Sequence, residues 1–97
     1  MRTHDEIRDE LREMKPSLRG RYGVTEIGVF GSYVREEQDE DSDIDIVVEF
    51  EDPIGLIDFL RLENELADHF EADVDLVTKK SLRPQVEPRV LNEVEYA

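Results

Sequence analysis

The sequence predicts a small α/β or α+β domain in which helices pack on one sheet. Three observations carry this. Apolar residues recur at helical spacing in two long segments, around residues 7–18 and 54–70. Three short apolar runs, 24–30, 43–50 and 72–78, have the length and composition of strands. The segments follow one another as helix, strand, short helix or loop, strand, helix, strand, helix. A chain of 97 residues can bury one modest core, so residues 1–97 form a single domain in this reading.

The first helix rests on Ile7, Leu11, Met14 and Leu18, which fall at i, i+4, i+7 and i+11 on one stripe. Thr3 with Glu6 has the form of a capping box. Pro16 lies inside the stripe. It has no N–H to donate and its ring crowds the preceding turn, so the helix is expected to kink or stop near Lys15. Gly20 and Gly23 mark a turn around Tyr22. "VTEIGVF", residues 24–30, follows as the first strand.

"DIDIVVEF", residues 43–50, is the second strand. Ile44, Ile46, Val48 and Phe50 point one way, and Asp43, Asp45, Val47 and Glu49 the other. Pro53 ends it. Over 54–70, Leu56, Phe59, Leu60, Ala67 and Phe70 repeat at helical spacing, with Leu66 beside them. "ADVDLVT", residues 72–78, is a third strand, with Val74 and Leu76 on one face and Asp73, Asp75 and Val77 on the other. Val90, Leu91 and Val94 suggest a last helix between about Pro84 and Tyr96.

Composition excludes several function classes. Net charge is −14, from 26 acids against 12 bases, which repels duplex DNA, so no direct nucleic-acid binding is expected. Lysine is scarce, at Lys15, Lys79 and Lys80 only, against nine arginines. An acid-rich, lysine-poor surface suits a salt-rich, halophilic cytoplasm, where ions screen self-repulsion. A basic protein partner is the competing explanation. With no cysteine, there is no disulfide framework and no thiolate metal site. No apolar run approaches a membrane span and the N-terminus lacks a signal peptide's apolar region, so a cytoplasmic protein with no membrane partner is expected.

Asp43 and Asp45 stand on one face of the second strand, about 6.6 Å apart along it. A carboxylate on a strand in a small core is costly unless paired, hydrated or bound to metal. Asp73-Val74-Asp75 repeats the pattern. If the two strands are neighbours, up to four carboxylates gather, an oxygen-only set suited to Mg²⁺ or Mn²⁺. The plain alternative is an edge strand with a wet outer face. An EF-hand fails in both registers: starting at Asp39 or Asp41, the sixth position is Ile44 or Ile46 where glycine is needed. Gly31-Ser32 directly follows an apolar strand, where glycine allows close approach of a ligand and serine can donate to a phosphate oxygen. No P-loop pattern occurs in the chain.

Gly31-Ser32, ten residues (33–42), then Asp43-Ile44-Asp45 match G-S-x10-D-x-D. The chain thereby resembles the DNA polymerase β-like nucleotidyltransferases, and within them the minimal nucleotidyltransferases, antitoxin partners of HEPN-domain toxins. The resemblance covers nearly the whole chain, including "GVFGSYVR", "SDIDIVVEF" and "VDLVT". It implies a mixed sheet of about three or four strands flanked by helices. It also implies Asp43, Asp45 and Asp75 as catalytic acids and metal ligands, the metal being Mg²⁺, with two ions. Gly31 and Ser32 are implied as triphosphate-binding residues. Arg35 is placed either to touch phosphate or to form a surface ion pair with Glu36, Glu37 or Asp39. Glu36 and Glu37 stand where the family often has glycine, and acids there repel nucleotide unless they point away. Neither His4 nor His69 has metal-ligand spacing. The implied reaction moves AMP from ATP to a tyrosine hydroxyl of a HEPN ribonuclease toxin. A binding-only antitoxin and a small-molecule nucleotidyltransferase are the alternatives, and the latter usually needs a second domain.

Overall fold

The computed structural model describes residues 2–39 and 41–97. Helix α1 (His4–Tyr22) is capped by Thr3, whose hydroxyl oxygen accepts the Glu6 N–H at 3.2 Å. The hydroxyl in turn donates to the Glu6 carboxylate at 3.3 Å. The helix ends at Gly23, whose φ of +76° suits glycine and whose N–H reaches the Arg19 carbonyl. Of the kink or stop expected near Lys15, the stop does not occur, and the helix runs on through Pro16. Pro16 and Arg12, whose carbonyl loses its partner, both lie on the exposed side. Water can solvate that carbonyl, while Leu11 and Leu18 hold the helix to the core from the other side.

Strands β1 (Val24–Phe30), β2 (Ile44–Phe50), β3 (Val74–Thr78) and β4 (Glu95–Tyr96) form one sheet in the order β3-β2-β1-β4. β1 runs antiparallel to β2 and β4, and β2 runs parallel to β3. A parallel pair needs a crossover, and α2 (Leu56–Phe70) supplies it. The core lies between the helices and one sheet face. It contains Ile7, Leu11 and Leu18, the strand residues Val24, Ile27, Val29, Ile44, Ile46, Val48 and Leu76, and Leu62, Leu66 and Phe70. The strand alternation read from residues 43–50 is therefore the observed one.

Two expectations change. The buried stripe of α2 is Leu62, Leu66 and Phe70, with Phe59 partly buried. Leu56 and Leu60 from the expected repeat are 73% and 45% exposed, and Ile57 is 70% exposed. The helix carries two overlapping apolar repeats, and periodicity alone does not say which meets the sheet. The expected C-terminal helix is short: α3 (Glu87–Glu93) gives way to β4. β4 needs Gly28, where an added Cβ would come within 2.8 Å of Val94 and 2.9 Å of the Glu95 carbonyl oxygen. The Ala97 N–H extends the contact to the Ile27 carbonyl at 2.9 Å. Among the described residues no helix is long and apolar enough to cross a membrane.

Candidate active site

Gly31 and Ser32 leave the end of β1 in a 3-10 turn, Gly31–Tyr33. The Gly31 carbonyl accepts both the Val34 N–H at 3.1 Å and the Arg35 N–H at 3.2 Å. Gly31 has φ +78°, and a Cβ there would overlap the Asp45 carboxylate, lying 2.9 Å from its carboxyl carbon. Glycine is required twice over, by backbone sign and by space. The register explains the closeness, since Phe30 pairs with Asp45 across β1 and β2.

Asp75 stands opposite Asp45 in the parallel β2–β3 pair. Asp43 precedes β2 by one residue and Asp45 by two, so by alternation it shares that side. The three predicted acids thus come to one edge of one sheet face. Asp45 is half-buried and the other two are exposed. Burial first, then the charges of Asp75 and Asp43, push the Asp45 carboxyl up from 3.8 to about 6, against the opposing pull of Arg35. This is negative charge on oxygen donors that Arg35 offsets only in part, and such donors fit a hard divalent cation such as Mg²⁺. Asp73 lies just before β3, and its carbonyl accepts the Ile44 N–H at 2.9 Å, joining the two strands where the acids begin.

Arg35 forms ion pairs, the second of the two readings offered for it. It pairs with Glu37 at 3.1 Å, one of the expected partners. It also donates to Glu93 of α3, at 3.1 and 3.2 Å from the two carboxylate oxygens. The same Glu93 accepts the Gly31 N–H at 2.8 Å and is one of the charges raising the pKa of Asp45. Glu93 escaped the sequence reading because it lies 58 residues beyond Arg35, in no motif. Glu36 adopts φ +59° and carries its carboxylate to 3.7 Å from His4, away from Arg35. Glu37 does not turn away.

A second polar group lies where α1 meets β4. His4 pairs with Glu95 and stands 3.6 Å from Asp5, while Arg8 reaches Asp5 at 3.1 Å. Among the described residues this is the one trio of histidine and acids whose ligand atoms all fall within 4.8 Å of one another. The three aspartates are more widely spread. The carboxylates around His4 raise its pKa against the effect of burial. Spacing gave no hint of this trio, because Glu95 is 91 residues from His4. His69 sits on the surface, 3.1 Å from Glu10.

Comparison with known proteins gives the family and the fold. The family model for the nucleotidyltransferase domain matches residues 4–97. The protein adenylyltransferase MntA of Thermococcus cleftensis is 50% identical over 96 residues, covering 99% of this chain and 97% of that protein. A solved structure assigned to the minimal nucleotidyltransferases superposes with a TM-score of 0.78 at 36% identity, covering 97% of this chain and 95% of the other. A crystal structure of a toxin–antitoxin with AMP-PNP gives a TM-score of 0.73 at 30% identity, covering 88% of this chain and 69% of the other. The four-stranded mixed sheet with three helices is the fold of these minimal enzymes. With the Gly-Ser turn packed on the first strand's partner aspartate and the match spanning nearly its full length, the chain belongs to the nucleotidyltransferase domain family.

Proposed function

We propose that this single-domain chain is a Mg²⁺-dependent protein adenylyltransferase that serves as an antitoxin. It transfers AMP from ATP to a tyrosine hydroxyl of a HEPN-domain ribonuclease toxin, in the cytoplasm. The observation that carries this reading is the contact of Gly31 with Asp45, with Asp75 beside it in register. It puts the turn that would bind the triphosphate within one side chain's reach of the carboxylates that would hold the metal. The high identity to an adenylyltransferase and the likeness to a toxin–antitoxin structure holding AMP-PNP support the donor and the partner class.

In the proposed reaction the acceptor hydroxyl oxygen forms a bond to the α-phosphorus of ATP. The bond between that phosphorus and the bridging oxygen to the β-phosphate breaks, and pyrophosphate leaves. Gly31 and Ser32 hold the triphosphate by backbone N–H and hydroxyl donors, and Arg35 adds a charged donor. Asp43, Asp45 and Asp75 would hold two Mg²⁺ ions, which when bound offset charge on the attacking and leaving oxygens. Asp75, exposed at the open edge of the sheet, faces the acceptor side and helps take the hydroxyl proton.

Co-expression with the partner toxin tests this. Wild type should yield a silent toxin heavier by one or more AMP units. The Asp43→Asn, Asp45→Asn double variant should leave the toxin active and unmodified. Equal neutralisation by both forms, with no mass change, would show that the chain acts by binding alone.

A further inference from the structure

Glu93 occupies two of the groups assigned above to the triphosphate, Gly31 and Arg35. Its carboxylate accepts the Gly31 N–H at 2.8 Å and the Arg35 guanidinium at 3.1 and 3.2 Å. A carboxylate so held is an anion on two anion donors, the same pair that a phosphate oxygen would use. Its side chain is only 16% exposed, against 65% for Glu37, which meets Arg35 from the solvent side. The segment that carries it is fastened at both ends. The Val94 N–H closes α3 on the Val90 carbonyl, and β4 pairs with β1 at Gly28 and Val29. Gly28 keeps this segment close, since no larger residue leaves room for Val94 and Glu95.

We infer that Glu93 is a further determinant of the nucleotide subsite, an internal carboxylate that a nucleotide phosphate must displace from Gly31 and Arg35. The inference rests on the nucleotidyl-transfer reading. It adds that nucleotide affinity is set by competition with a residue of the chain's own C-terminal segment. An acid that merely repelled anions from a distance would not need these two short contacts.

The test measures binding of the α,β-methylene analogue of ATP, which cannot release AMP, in the presence of Mg²⁺. Glu93→Gln keeps the shape and weakens the grip on Arg35. Glu93→Ala removes both contacts. Glu36→Gln is the charge-matched control, because Glu36 faces His4 and not Arg35. About tenfold tighter binding for Glu93→Ala, an intermediate gain for Glu93→Gln and less than twofold change for Glu36→Gln support the inference. Equal tightening by Glu36→Gln reduces the effect to net charge and overturns it. Unchanged or weaker binding by a folded Glu93→Ala also overturns it, as does a variant that loses turnover at unaltered affinity, while the transferase reading stands. Absence of binding by wild type and every variant overturns the transferase reading itself. Wild type gives an independent readout if a variant does not fold. On saturation with the analogue, the Glu93 carboxyl carbon and the Gly31 amide should shift together in the NMR spectrum, and an unmoved Glu93 carbon overturns the inference.

Discussion

The α-carbon of Gly31 rests against the carboxylate of Asp45, with room for a hydrogen and none for a methyl group. The turn that follows β1 and the acid on β2 are thus one packed unit. Gly31→Ala must strain the backbone at φ +78°, costing about 1–2 kcal/mol, and also push the carboxylate aside. The variant should be less stable by 2 kcal/mol or so and inactive. Asp45→Ala removes the obstructing carboxylate. The Gly31→Ala, Asp45→Ala double variant should therefore lose less stability than the two single changes sum to, by about 1 kcal/mol. Additive losses in chemical denaturation would mean that the contact is not shared.

The legible parts of this protein were those fixed by local rules. The alternation of Ile44, Ile46 and Val48 against Asp45 and Glu49 is a property of any strand, and burial follows it except at Val47, which is buried on the acid-bearing face. The spacing from Gly31-Ser32 to Asp43 and Asp45 carries the candidate site, because β1, which leads into the turn, and β2 are neighbours in the sheet. What was illegible depends on contacts between distant segments. Leu56 and Phe59 have similar sequence surroundings, yet only Phe59 meets the core. β4 is two residues long, too short for a periodic signal, and exists because Gly28 admits it. Glu93 and the His4–Glu95 pair join residues far apart in sequence, and no motif records them.

Pro16 offers a direct check on the first helix. It stands in the middle of α1, on the exposed side, without an N–H for the ladder. Proline in a helix interior costs up to about 3 kcal/mol relative to alanine. Pro16→Ala should raise stability by 1–3 kcal/mol or so, with no effect on nucleotide binding, since α1 packs on the side of the sheet away from the acids. A lower melting temperature would show that the proline ring has packing value that its exposure conceals.

The surface charge makes a prediction about salt. Net charge is −14 and the acids are spread along the chain, so self-repulsion weakens the folded state in dilute buffer. At molar KCl the Debye length falls to about 3 Å and that repulsion is screened. Ion pairs such as Arg21 with Glu65, held at 2.6 and 2.7 Å, are screened too, but exposed pairs contribute little to begin with. The melting temperature should rise between dilute buffer and molar KCl. A flat or falling trend would remove the halophilic reading and leave the acidic surface to a basic partner.

The acid cluster should leave a pH signature without nucleotide. Asp45 titrates near 6 in the folded chain against 3.8 ordinarily, raised by burial, Asp75 and Asp43. A carboxyl with a raised folded pKa holds its proton more tightly when folded. Its destabilising effect is therefore full above pH 6 and fades as pH falls through 6 toward 4. Two units correspond to about 3 kcal/mol, but Asp45 is only half-buried and solvent screening reduces this to about 1. In chelator, Asp45→Asn should be more stable than wild type at pH 7.5 by about that amount, and the two should converge near pH 4. The difference between the two proteins isolates Asp45 from groups that act the other way, such as Glu65, whose pKa Arg21 lowers. Added Mg²⁺ should stabilise wild type at pH 7.5 by relieving the same repulsion, and should stabilise Asp45→Asn much less. The variant should also lose nucleotidyl transfer while its circular dichroism stays native. If wild type and variant melt alike at every pH, and Mg²⁺ shifts neither, the aspartates are not the coupled, cation-seeking cluster described above.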